Sequence, residues 1–275
     1  MEIKTRKSAG LWLAVLLFAF LPVVAAGCGK SPQQAVPESN SQERELLVSA
    51  AASLQEALQE IEQVYRQENP GVRLIFNFGS SGTLQRQIEQ GAPVDLFLSA
   101  AQKQMDELER QGLILPDTRQ DLLRNELALI TGKDNDTVTG VADLTKEVVA
   151  TVAVGVPETV PAGQYAKEAL QNLRLWDALQ DKMVSAKDVK QILTYVETGN
   201  ADAGFVYLSD AVGSAKVRIV EVLPAELYEP VVYPAAIVKA APNPEGAQAF
   251  LAYLNGPKAG EIFAKYGFKP AKGGE

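Results

Sequence analysis

Short apolar runs alternate with amphipathic patterns along the chain from Leu46 onward. The run LLVSAAA (46–52) is typical of a buried strand, and the segment after it repeats its apolar residues at helical spacing. Strands separated by helices predict an α/β fold with mainly parallel sheets. In such folds, ligands bind beyond the carboxyl ends of the strands. The body that follows Leu46 is long enough for one large core or two smaller ones.

The same alternation predicts further elements along the body, and none of them repeats at a fixed period. The predicted strands after the first are 72–79, 95–100, 126–132, 151–157, 203–209, 217–223 and 233–238. The predicted helices are 53–69, 83–91, 101–112, 163–173, 188–198 and 245–266.

Composition removes several classes of function. The 275 residues include no histidine and a single cysteine. Without histidine, the chain has no Ser-His-Asp triad, no Cys-His pair and no imidazole zinc site. One cysteine excludes an internal disulfide and a thiolate zinc site. The net charge of −8 argues against binding to nucleic acid and, at face value, against any anionic partner.

The N-terminus predicts a targeting segment. Lys4, Arg6 and Lys7 form a basic start, and the run after them is strongly apolar and uncharged. The small residues at 25–27 favour cleavage and predict a signal peptide over 1–27. An uncleaved membrane anchor is the alternative.

The only cysteine, Cys28, directly follows this predicted cleavage point. The arrangement resembles the lipobox of bacterial lipoproteins, which implies that Cys28 is lipidated; the alternative is an incidental cysteine. Residues 28–45 are polar and lack periodicity, which predicts a disordered tether. Loss of 1–27 removes Glu2 and three basic residues, and changes the net charge from −8 to −10.

Four junctions between a strand and the following helix share one chemistry. The junctions at Ser53, 78–83 and 160–165 are rich in Ser, Gly or Ala and carry no charge, and the fourth is the helix start at 188–189. A helix start offers unpaired N–H groups and about half a positive charge. Several starts that converge would therefore bind an anion without any Lys or Arg.

Each candidate residue also has an ordinary structural interpretation. Ser53 and Glu56 match the S-x-x-E capping box, so the hydroxyl could cap its own helix. Ser80 and Ser81 could be turn residues, and Tyr207 could be a core aromatic of a strand. The residues alone leave these alternatives open.

Taken together, these segments resemble the substrate-binding proteins of molybdate ABC importers. The motifs that match that family in order are AAASL (50–54), GSSGTLQRQIEQGAPVDLFLSA (79–100), VPAGQYAKEAL (160–170), GFVYLSDA (204–211) and GPKAGEIFAKYGF (256–268). The resemblance implies a type II periplasmic-binding-protein fold, an α/β fold in which two lobes are joined by crossover strands around a ligand cleft.

The resemblance also implies the limits of the two lobes. Lobe 1 would comprise 46–125 and 231–275, and lobe 2 would comprise 126–230. The hinge crossovers would lie near 126–130 and 231–238.

In that family two serines, two backbone amides and a tyrosine hydroxyl hold the oxyanion. The matching positions in this chain are Ser53, Ser81, Ala162, Val189 and Tyr207. Molybdenum would enter only within the bound oxyanion, with no direct bond from protein to metal and no cofactor.

The implied function is that of an extracytoplasmic, membrane-anchored lipoprotein, monomeric and not an enzyme. It would capture molybdate or tungstate and deliver it to the membrane permease subunits of an ABC importer. The alternatives are a binding protein for another tetrahedral oxyanion such as sulfate, a Ser-Lys hydrolase, and an adhesin-like surface lipoprotein.

Overall fold

The computed structural model describes residues 43–271. The predicted signal peptide, Cys28 and most of the predicted tether lie outside these residues. Within 43–271, no helix combines the length and apolar character needed to cross a membrane.

Residues 43–271 form eleven strands and eight α-helices. The strands are β1 (Arg44–Ala51), β2 (Val72–Gly79), β3 (Leu96–Leu98), β4 (Gln120–Arg124), β5 (Leu127–Gly132), β6 (Val152–Gly155), β7 (Met183–Ala186), β8 (Ala203–Tyr207), β9 (Val217–Val222), β10 (Val232–Ile237) and β11 (Lys269–Pro270). The helices are α1 (Gln55–Glu68), α2 (Ser81–Glu89), α3 (Gln102–Arg110), α4 (Pro161–Asn172), α5 (Val189–Glu197), α6 (Leu208–Val212), α7 (Pro244–Leu254) and α8 (Pro257–Lys265).

The strands build two sheets. The first has the order β11-β4-β10-β3-β1-β2, and the second has the order β7-β6-β8-β5-β9. β3, β8 and β10 are buried along their whole length, as expected for inner strands of near-continuous apolar sequence. The α/β architecture predicted from the alternating pattern is therefore present.

The expectation of mainly parallel sheets is wrong, because both sheets are mixed. β1 runs parallel to β2 and β3, but β10 lies antiparallel between β3 and β4. In the second sheet, β5 lies antiparallel between β8 and β9. β5 and β10 each follow a strand of the other sheet, so no helical crossover on their own sheet fixes their direction.

The chain passes between the sheets twice, from β4 to β5 and from β9 to β10. Two residues make the first passage and nine make the second. The assignment of these segments as hinges between lobes remains a prediction.

The single helix predicted over 245–266 is wrong. The structure has two helices there, α7 and α8, separated by Asn255 and Gly256. Pro257 begins α8, where its missing N–H costs no intrahelical bond. The amphipathic spacing continues through the break, which hides it from periodicity. The short strands β4, β7 and β11 were also not predicted, since none has a long apolar run.

Candidate functional site

The four junctions meet at one small cavity. Its wall combines residues that follow strands of the first sheet with residues that follow strands of the second. All five predicted site residues lie in it. The lining residues are Ala51, Ala52, Ser53, Gly79, Ser80, Ser81, Ala100, Val160, Pro161, Ala162, Val189 and Tyr207.

Ser53 lies in a short 3-10 turn (Ala52–Leu54) between β1 and α1. The capping-box interpretation is wrong, because no side-chain hydrogen bond caps either the turn or α1. The Ser53 Oγ instead lies 2.9 Å from the Tyr233 Oη on β10. The hydroxyl is therefore held at the cavity by a contact with β10 of the same sheet and not by its own helix.

Ser81 and Ser80 differ in how their hydroxyls are bonded. Ser81 begins α2 and is fully buried, and its Oγ accepts a 2.9 Å hydrogen bond from the Ala100 N–H. The Ser80 Oγ donates to the Thr83 Oγ1 at 2.8 Å. The bond to Ala100 leaves the Ser81 hydroxyl hydrogen free to donate, whereas the Ser80 hydrogen is used locally.

Ala162 and Val189 lie at helix starts, where N–H groups have no carbonyl partner in their own helix. α4 begins with Pro161, which has no N–H, so Ala162 supplies the first N–H of that helix. Val189 is the first residue of α5, and the Asp188 carboxylate caps that helix through the Gln191 N–H at 2.8 Å. Both helices thus present backbone donors at the cavity wall.

Tyr207 ends β8 and is 1% exposed. Its Oη donates a long 3.4 Å hydrogen bond to the Ala100 carbonyl. Burial raises the pKa of this phenol well above 10, and the nearby Tyr233 and Tyr165 add to the effect. The side chain is therefore a neutral hydroxyl donor over the physiological pH range.

Comparison with known proteins assigns the chain to a family. A family model described as bacterial extracellular solute-binding protein matches residues 46–269. This chain is a bacterial extracellular solute-binding protein. Membership in that family indicates an extracytoplasmic protein.

This solute-binding protein has close relatives over most of its length. It is 44% identical to YvgL of Bacillus subtilis, named as an ABC transporter substrate-binding lipoprotein, over 95% of this chain and 98% of that protein. It is 42% identical to the molybdate-binding protein ModA of Escherichia coli, over 94% of this chain and 97% of that protein. The predicted resemblance to the molybdate-binding family is confirmed.

A solved structure supports the fold. The solute-binding protein matches the periplasmic molybdate-binding protein of Azotobacter vinelandii with a TM-score of 0.75 and 30% identity, over 81% of this chain and 98% of that one. The predicted type II periplasmic-binding-protein fold is confirmed.

The cavity of the solute-binding protein is neutral. Among the described residues, those that line it are Ala, Gly, Ser, Val, Pro and Tyr, and none is ionised at neutral pH. Residues 43–271 also contain no cluster of three or more His, Cys, Asp or Glu that could hold a metal ion. An anion in this cavity would be held by N–H and O–H dipoles and not by an ionised side chain.

Ionised groups beside the cavity pair with one another. The Lys190 Nζ lies 2.9 Å from Asp210 and 2.7 Å from Glu56. Burial opposes the charge of Lys190, but the Asp210 and Glu56 carboxylates outweigh it and raise the lysine pKa. Burial also raises the pKa of Asp210, which Lys190 partly offsets. The positive charge of Lys190 is thus balanced by two carboxylates.

Two groups at the site were not predicted from sequence. Ala100 connects two predicted residues, because its N–H donates to Ser81 and its carbonyl accepts from Tyr207. It ends the predicted strand 95–100, and this position at a strand end was a usable signal. Tyr233 holds Ser53, but it is 180 residues away in sequence and no local pattern reveals the contact.

Proposed function

We propose that this protein captures molybdate or tungstate as a tetrahedral dianion and delivers it to the membrane subunits of an ABC importer. The observation that carries the proposal is a neutral cavity whose lining includes five residues that match the oxyanion contacts of the molybdate-binding family. Those residues are Ser53, Ser81, Ala162, Val189 and Tyr207. The name of the Escherichia coli relative supports the choice of ligand.

The proposed contacts are all hydrogen-bond donors. Ser53 and Ser81 would offer hydroxyls, while Ala162 and Val189 would offer backbone N–H groups. Tyr207 would turn its hydroxyl hydrogen from the long 3.4 Å bond with the Ala100 carbonyl to the ligand. Donors of this kind suit a fully ionised dianion, which has only acceptor oxygens. A protonated anion such as hydrogenphosphate would leave its own hydrogen without an acceptor, and an unpaired buried donor is costly. Hydrogen bonds from neutral donors to a charged ligand need no opposite charge on the protein.

The contacts come from both sheets, and this supports a clamp mechanism. Ser53 and Ser81 follow strands of the first sheet, whereas Ala162, Val189 and Tyr207 belong to segments of the second. A ligand held from both sides gains contacts only when the two sides approach, so binding shifts the population toward the closed form. The importer would recognise that closed surface.

Sulfate is the second candidate ligand because it has the charge and shape of molybdate. It is smaller, and backbone N–H groups fixed on two helix starts cannot follow a shrinking anion. Calorimetry with molybdate, followed by sulfate competition, tests the choice. Tight molybdate binding with little displacement by sulfate supports the proposal; preferential binding of sulfate would contradict it.

We assign no enzymatic role and no cofactor to the site. A Ser-Lys hydrolase needs a lysine beside its nucleophilic serine. The described lining of the cavity contains no lysine, and Lys190 is paired with Asp210 and Glu56. Inertness toward a fluorophosphonate probe is expected, whereas covalent labelling of Ser53 or Ser81 would indicate catalysis. A fold that responds to no oxyanion in a thermal-shift panel would favour the adhesin alternative.

The anchor is a separate proposal that rests on sequence. Cys28 would carry lipid after removal of 1–27, and residues 28–45 would tether the binding body to the membrane. A residue that carries more than one lipid chain is enough for stable membrane anchoring. Mass spectrometry of the mature N-terminus should find a lipidated Cys28, and Cys28→Ser should release the protein from membranes. An unmodified cysteine would exclude the anchor.

A further inference from the structure

A buried hydrogen-bond chain leads from the passage between the sheets to Ser53. The Asn125 Nδ2 lies 3.3 Å from the Tyr233 Oη, which in turn lies 2.9 Å from the Ser53 Oγ. Asn125, Tyr233 and Ser53 are 7%, 1% and 4% exposed. Asn125 follows β4 and Tyr233 is on β10, so the chain of contacts connects both passages between the sheets to the cavity.

The backbone fixes which way Asn125 faces. Its Oδ1 accepts a 2.9 Å hydrogen bond from the Glu126 N–H, a group that can only donate. The side-chain NH₂ therefore points the other way. Its two hydrogens have two acceptors, the Ser209 Oγ at 2.8 Å and the Tyr233 Oη.

This orientation sets the direction of the next two bonds. Tyr233 accepts from Asn125 and has one hydrogen of its own. Either oxygen of the Tyr233–Ser53 pair could donate, but the Ser53 Oγ is the acceptor within reach of the Tyr233 hydrogen among the described residues, whereas the Ser53 hydrogen has the cavity. Donation by Tyr233 is therefore the arrangement that leaves no buried hydrogen unpaired. Burial raises the pKa of the Tyr233 phenol well above 10, so the hydrogen is retained. Ser53 already accepts from Tyr233, and its single hydrogen is left to point into the cavity.

We infer that Tyr233 and Asn125 are positioning residues that force the Ser53 hydroxyl to act as a donor toward the ligand. The inference rests on the proposed function, and it adds two residues to those that determine which ligand is bound. Ser81 is polarised in the same way, because its Oγ accepts from the Ala100 N–H. The two serines thus present hydrogens, and not lone pairs, to the bound oxyanion. Their arrangement excludes a protonated anion, whose hydrogen needs an acceptor.

A double-mutant cycle on molybdate affinity tests the inference. Tyr233→Phe removes the hydroxyl and frees the Ser53 hydrogen to rotate away. We expect it to weaken binding roughly fivefold to tenfold, the size of one neutral hydrogen bond. In the Ser53→Ala background, the same substitution should change affinity less than about twofold. Equal losses in both backgrounds would mean that Tyr233 acts only through packing, and would overturn the inference.

Tyr228→Phe is the matched control. Tyr228 belongs to the same aromatic group, with its ring 6.0 Å from that of Tyr165. Its Oη accepts from the Leu127 N–H at 3.0 Å, which is a backbone contact away from Ser53. Loss of this hydroxyl should leave molybdate affinity unchanged in both backgrounds. Thermal unfolding of every variant checks that the fold is retained.

The substitution Asn125→Asp provides a second, independent test of the inference. The substituted carboxylate can accept from Glu126 and Tyr233 but cannot donate, so the Tyr233 hydrogen turns away from Ser53. At about pH 8, hydrogenphosphate and molybdate are both dianions, so the added negative charge weakens both alike. The ratio of hydrogenphosphate to molybdate affinity should rise at least about threefold, because the Ser53 Oγ can now accept. An unchanged ratio would overturn the inference.

Failure of the proposed function and failure of this inference can be distinguished. Wild-type calorimetry alone decides the proposed ligand, and the cycle is measured with whichever oxyanion binds. If wild type binds sulfate in place of molybdate, the proposed function fails, and the coupling between positions 53 and 233 still decides the inference.

Discussion

The backbone N–H of Gly82 donates a 2.9 Å hydrogen bond to the carbonyl oxygen of Thr159. Gly82 is the second residue of α2, beside the first sheet, and Thr159 precedes α4, beside the second. A Cβ atom at position 82 would lie 2.7 Å from the Cα and the carbonyl oxygen of Thr159. The two sides of the cavity therefore meet backbone to backbone at a place where only glycine fits.

Gly82→Ala should weaken molybdate binding, because the new methyl group keeps the two sides of the cavity apart. A clash of this kind in a packed region costs about 1–3 kcal/mol. Calorimetry measures the effect. Gly260→Ala is the control, since a Cβ there meets nothing within 4 Å. Unchanged affinity in the Gly82 variant would show that this contact is not needed for binding.

Ser53→Ala should weaken molybdate binding by roughly 1.5–3 kcal/mol, the range for a hydrogen bond to a charged group. The substitution removes one donor of the proposed five and leaves Tyr233 without its acceptor. The exposed Ser185 on β7 provides a matched serine-to-alanine control. Equal affinities for wild type and the Ser53 variant, by calorimetry, would remove this residue from the site.

Ser81→Ala and Ser80→Ala should differ. The Ser81 hydrogen is free to donate into the cavity, whereas the Ser80 hydroxyl donates to Thr83. We expect a loss of about 1.5–3 kcal/mol in molybdate affinity at position 81 and less than about 0.5 kcal/mol at position 80. A larger loss at position 80 would reverse the assignment of the ligand serine.

Molybdate affinity should be constant from about pH 6 to 9 because no group in the described lining titrates there. Within residues 43–271, the only ionisable residue that lines the cavity is Tyr207, whose pKa is raised well above 10 by burial. It stays a neutral donor below that pKa, and its ionisation at higher pH would place a negative charge beside the anion and weaken binding. Calorimetry across this range is the measurement. A steep change between pH 6 and 9 would reveal an ionisable contact.

Lys190→Met should lower the free energy of unfolding by about 3–5 kcal/mol, because it leaves the Asp210 carboxylate buried and unpaired. The Asp210 side chain is 0% exposed, and Lys190 lies 2.9 Å from it. Urea denaturation gives the value. Lys258→Met breaks an exposed pair with Glu68 and should cost less than about 1 kcal/mol. Similar losses in the two variants would contradict a buried pair at Lys190.

Local pattern was enough to predict most of the elements around the cavity. The junctions at Ser53, Ser81 and Ala162 were placed correctly between a strand and a helix, because uncharged small residues between two periodic segments are a local signal. At Val189 the helix start was predicted, but the strand before it, β7, was not. The convergence of these four segments was implied by the resemblance to the molybdate-binding family, because the segments follow strands of two different sheets.

Contacts between distant parts of the chain could not be predicted from the sequence. Ser53 and Glu56 match a capping box, yet Ser53 bonds to Tyr233 and Glu56 pairs with Lys190. Local spacing cannot show that a partner from another element replaces a cap. The direction of β10 was missed for the same reason, because its neighbours lie more than a hundred residues earlier in the sequence.

Net charge was a poor guide to the partner. The value of −8 suggested that the protein avoids anions, yet the described lining of the cavity carries no ionised side chain. Dipoles within a few ångströms act on a ligand more strongly than screened surface charges farther away.

The donors at Ala162 and Val189 belong to the main chain, and this limits how the site can evolve. A codon change at either position replaces a side chain but keeps the N–H, unless it introduces proline. Two of the five proposed contacts are therefore inherited with the backbone path and are shielded from most point mutations. A descendant with a different ligand preference would have to change the serines or the tyrosine, or move a whole helix.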